Sequence, residues 1–178
     1  MGCHIDGFIA TVAHTLVVGA TEPLTGKIAD IMKAAHIASE VAHKMIRPGN
    51  TNSQVTLAID EVCKTFGVKA VQGVLSHQLK QFVIDGNNCI SGKHDLENVV
   101  DEFEFEANEV YAMDIVLSTG EGKPRETAER TTVFKRAVDK NYRLKMKASR
   151  YTHYHCPFYY NLPASLIISP LITYPRLL

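Results

Sequence analysis

Val110-Tyr111-Ala112-Met113-Asp114-Ile115-Val116-Leu117-Ser118-Thr119 is the most strand-like run in the chain. Apolar side chains fall at both odd and even positions, which predicts a central strand buried on both faces. Upstream of it lie two helical patterns. In Lys27–Ile46, Ile28, Ile31, Met32, Ala35, Ala38 and Ala42 form a stripe at helical spacing, and Pro48-Gly49 ends it. In Ser53–Phe66, Val55, Ile59, Val62 and Phe66 recur at the same spacing, with Thr51 or Asn52 as N-cap and Gly67 as terminator. Ile5–Val18 reads as a hairpin or one long strand. Gly73 marks a turn, as do Asp85-Gly86-Asn87-Asn88 and Gly120-Glu121-Gly122. Thr131–Ala137 predicts a further short strand. Strands and helices mix without regular βαβ alternation, so the fold class is α+β.

Composition adds boundaries. The 178 residues carry 19 Lys+Arg against 19 Asp+Glu, and 46% of them are hydrophobic. One domain with a sizeable core fits that length, and a uniformly basic nucleic-acid binder is excluded. The zero balance hides asymmetry. Residues 95–109 are acidic. From Lys123 to Arg150 ten cations (Lys123, Arg125, Arg130, Lys135, Arg136, Lys140, Arg143, Lys145, Lys147 and Arg150) face only Glu126, Glu129 and Asp139. Residues 151–178 hold one charged side chain, Arg176, and four of the seven prolines. This predicts a divergent, poorly ordered tail following a domain at 1–150. Cys3, Cys63, Cys89 and Cys156 show no C-x-x-C spacing, and no signal-peptide pattern opens the chain. Both features lead to the expectation of free thiols in an intracellular protein. No run approaches the roughly 20 apolar residues of a bilayer span, so no membrane partner is expected.

Three stretches carry a family resemblance: G-C-H-I-D-G-F-I-A-T-V-A-H-T from Gly2, L-S-H-Q-L-K-Q-F-V-I-D-G around His77, and N-E-V-Y-A-M-D-I-V-L-S-T-G-E-G around Asp114. Together they resemble the methionine aminopeptidase, or pita-bread (peptidase M24), superfamily. The finer match is to its proliferation-associated, ErbB3-binding protein branch, supported by R-T-T-V-F-K-R from Arg130 and L-K-M-K-A-S-R from Leu144. The resemblance spans about residues 2–150 and implies an incomplete pita-bread fold, a curved, mostly antiparallel sheet with flanking helices. An uncovered strand at the opening leads to the expectation of a truncated member or of a covering partner chain.

Enzymes of that superfamily hold two divalent metals with two Asp, one His and two Glu, because bridging carboxylates fix hard cations and acidify a bound water. By the resemblance, the first Asp position lies ahead of Met1 and the second falls at Thr11. The His falls at His77, the first Glu at Asp114, and the last beyond residue 150. A further substrate-contacting His falls at Asp85. Thr11, His77, Asp85 and Asp114 are thus remnant metal-site positions, of which only His77 and Asp114 keep ligand-capable chemistry. No catalytic residue, bound metal or cofactor is expected, and the chain reads as a pseudoenzyme. Taken alone, His77 reads as a partly buried histidine with a hydrogen-bonded ring.

Other constellations are weak. His36 and His43 lie seven apart on one helix, His153-Tyr154-His155-Cys156 lacks a second ligand pair, and Gly120-Glu121-Gly122-Lys123 is too short for a phosphate loop. The basic segment suits phosphate contacts, with Phe134 and Tyr142 available to stack on bases. It equally suits a solvated face balancing the acidic stretch. The resembled branch is associated with structured RNA, ribosomes and nuclear regulatory complexes. The resemblance therefore implies a non-catalytic binding protein in growth or translation, cytoplasmic and nuclear or nucleolar, with RNA, ribosome or regulatory-protein partners. The competing readings are a metal-dependent methionine aminopeptidase and a product without independent function.

Overall fold

A computed structural model of the chain describes residues 1–94, 99–125 and 145–150. The chain divides into two compact units. One comprises Met1–Ala13 and Lys80–Ile84 with residues from 128 on; the other comprises His14–Leu79 and Asp85–Thr127.

In the first unit, β1 (Gly2–Ile5) and β2 (Phe8–Thr11) form an antiparallel hairpin in the register Gly2↔Thr11 to Ile5↔Phe8. Asp6 (φ 49°) and Gly7 (φ 85°) make the two-residue turn. Positive φ at both central residues matches the right-handed twist of the flanking strands, which is why Asp-Gly favours such turns. The hairpin alternative for Ile5–Val18 therefore holds, but the strands stop at Thr11. The ring of Phe82 lies across Gly7, where a Cβ would come within 2.3 Å of it. The Phe82 N–H donates to the Gly7 carbonyl (2.8 Å), and Gln81 Nε2 donates to that of Asp6 (2.9 Å).

The second unit is built on α1 (Gly26–Met45) and α2 (Asn52–Phe66). The buried row of α1 is Ala34, Ala38 and Ala42, all 0% exposed, whereas Ile28 stays exposed. Of the expected stripe, Ala38 and Ala42 are thus fully buried and Ile31 and Ala35 pack partly buried against the core, while Ala34 joins the buried row from outside it. Val55, Ile59 and Cys63 line the inner face of α2, and Val62 and Phe66 sit at its margin. Gly67 (φ 63°) closes α2 in the left-handed conformation. Thr51 is the N-cap residue, its N–H donating to Gln54 Oε1 (3.2 Å).

Five short strands complete this unit: β3 (Lys69–Ala70), β4 (Leu75–Leu79), β5 (Cys89–Ser91), β6 (Val110–Ala112) and β7 (Leu117–Ser118). β4 lies between β5 and β6 in an antiparallel three-stranded sheet, and β3 pairs with β7. The expected single strand Val110–Thr119, buried on both faces, is thus corrected. It pairs with β4 through Ala112, breaks over Met113–Val116, and rejoins backbone pairing at β3. The break has a physical cause. The Asp114 N–H donates to the Ser76 hydroxyl (2.9 Å), a side chain, and the Val116 carbonyl turns to accept from Val71 (2.9 Å). Val110 is 56% exposed, so the run is not buried throughout. The predicted strand Thr131–Ala137 and the tail at 151–178 lie outside the described residues.

Asn52 joins the layers. It is 4% exposed. Its Nδ2 donates to the carbonyls of Cys89 (3.2 Å) and Asp101 (2.9 Å), and its Oδ1 accepts from the N–H groups of Ser53 (3.0 Å) and Phe103 (3.2 Å). One side chain therefore ties the start of α2 to β5 and to the 101–103 segment. Asn52→Ala is expected to destabilise the chain by on the order of 3 kcal/mol, because four part-buried hydrogen bonds are lost at once. Thermal denaturation checks this against exposed Ser53→Ala, expected to change stability by less than about 0.5 kcal/mol.

Candidate functional site

His77 sits at the middle of β4, opposite Cys89 on one side and Ala112 on the other. Asp114 follows two residues beyond Ala112, at the point where the chain leaves that sheet. Buried Ser76, 2% exposed, fixes this departure by accepting the Asp114 N–H. Nε2 of His77 then lies 3.6 Å from Oδ2 of Asp114, with side-chain exposures of 22% and 53%. Among the described residues, buried His77 Nδ1 has no hydrogen-bond partner. Pairing with the Asp114 carboxylate holds the imidazole above its ordinary value of 6.5; burial opposes the shift, and the charge of Asp85 adds a small push upward.

Three of the four remnant positions, His77, Asp85 and Asp114, fall in the second unit, and Thr11 lies in the first, exposed at the end of β2. His77 and Asp114 make a direct pair. Among the described residues no group of three or more His, Cys, Asp or Glu is arranged to hold a metal ion. His36 and His43 are exposed residues of α1. Cys3, Cys63 and Cys89 are free thiols, and Cys156 lies outside the described residues. No helix among those residues is long and apolar enough to cross a membrane.

Beside this pair is a network that the sequence does not announce. Glu109 accepts from Gln78 Nε2 (2.6 Å) through one oxygen, and from the Glu106 N–H (2.9 Å) and the Tyr111 hydroxyl (2.9 Å) through the other. Burial, with the neighbouring carboxylate, pushes the Tyr111 phenol up to about 12. Gln78 and Tyr111 are register partners across β4 and β6. The network therefore braces the strand that carries His77.

Of the basic candidates, Lys123 and Arg125 are exposed in the second unit, and Lys145, Lys147 and Arg150 are exposed in the first. Arg130, Lys135, Arg136, Lys140 and Arg143 lie outside the described residues.

This strand-borne histidine and its carboxylate belong to a known framework. The family model for metallopeptidase family M24 matches residues 1–124, and the chain belongs to that family. Within it, the chain is similar to proliferation-associated protein A of Dictyostelium discoideum, at 51% identity over 152 residues that cover 84% of this chain and 40% of the relative. It is also similar to ERBB-3 binding protein 1 of Solanum tuberosum, at 57% identity over 152 residues covering 85% and 39%. The chain thus spans about two fifths of the length of these curated relatives. Among solved structures, a thermophilic Arx1 matches in fold with a TM-score of 0.72 at 24% identity, covering 89% of this chain and 48% of that one. The M24 fold class expected from the sequence is therefore present, over part of its length.

The His77–Asp114 pair has a measurable signature. A raised native pKa means that its stabilising contribution is complete below the ordinary value of 6.5 and disappears as pH rises through the native one. Asp114→Asn is expected to lower the His77 midpoint in an NMR titration. An unchanged midpoint would show that the carboxylate does not set it.

Proposed function

We propose that this chain is a non-catalytic, aminopeptidase-like binding protein, acting in growth, translation or ribosome-related regulation through RNA or protein contacts in the cytoplasm and the nucleus or nucleolus. The observation that carries the reading is the pairing of His77 with Asp114 in the absence of a carboxylate at Thr11. Two ligand-capable side chains do not make a two-metal clamp, which needs several bridging carboxylates to share its charge. The similarity to proteins named proliferation-associated protein A and ERBB-3 binding protein 1 supports the same direction.

The exposed cations Lys145, Lys147 and Arg150, within the basic segment from Lys123, supply the chemistry for phosphate binding. Such binding is electrostatic and only slightly selective, and it weakens with salt. Filter binding with a structured RNA tests it. The chain is expected to bind at low salt. Reversal of Lys145, Lys147 and Arg150 to Glu should weaken binding and lower the salt slope by about 1 for each phosphate no longer neutralised. No binding at low salt, or none of these changes on charge reversal, removes RNA from the proposal and leaves protein partners.

A further inference from the structure

We draw no further inference here: the strongest candidate, the apolar groove between α1 and α2 lined by Ile37, Val41, Ala58, Val62 and Phe66, carries nothing because no feature of the structure shows what covers it.

Discussion

The four hydrogen bonds of the Asn52 side chain are the constraint that holds the second unit together. A buried primary amide offers two donors and an acceptor oxygen with two lone pairs, and leaving any unmet costs free energy. Here every one is used, and the partners come from three separate stretches of chain. Backbone pairing continues from the same place: the Asn52 N–H donates to the Phe103 carbonyl (3.2 Å), and the Phe105 N–H to the Asn50 carbonyl (3.0 Å). Thr56, one turn on, donates to the Ser91 carbonyl (2.8 Å). The first turn of α2 thus fixes the edge strand β5, and β5 in turn flanks the strand that carries His77.

The strand pair β4–β6 follows from that anchorage. Phe103, Phe105 and Tyr111 pack as a cluster, with edge-to-face contacts at 5.4 and 5.3 Å between ring centres, and Phe105 lies in the core beneath α2. Glu109 then ties Gln78 to Tyr111 across the strands. What reaches the candidate site is a firmly held β4 and a β6 that is released by Ser76. Geometry of this kind can orient metal ligands. In this chain it orients one imidazole against one carboxylate.

Much of the architecture is legible in the sequence because its signals are local. Gly67 ends α2 where a left-handed residue is required, and the helix patterns place α1 and α2 within a residue or two. The choice between Thr51 and Asn52 is not legible: Thr51 is the N-cap, and Asn52, besides accepting the Ser53 N–H, bonds residues 37 and 49 positions away. Periodicity cannot see such partners. The same limit explains Val110–Thr119. Its apolar run is continuous, but its division into β6 and β7 is set by the Ser76 hydroxyl, 38 residues upstream. The Asp6-Gly7 turn has a readable dipeptide signal. His77 and Asp114 emerge only through family resemblance, since no spacing rule joins residues on separate strands. The alanine row of α1 is partly legible, with Ala38 and Ala42 in the expected stripe and Ala34 outside it.

Among the described residues, the M24 framework of this chain presents a histidine–carboxylate pair, and the proposed non-catalytic reading holds that no two-metal centre forms there. Calorimetric titration of the purified chain with Mn or Co ions, at neutral pH, is the decisive measurement. The expected result is no binding of two metal equivalents and no dependence of any weak heat on Asp114. Saturable uptake of two equivalents, abolished on replacing His77 or Asp114, would contradict it.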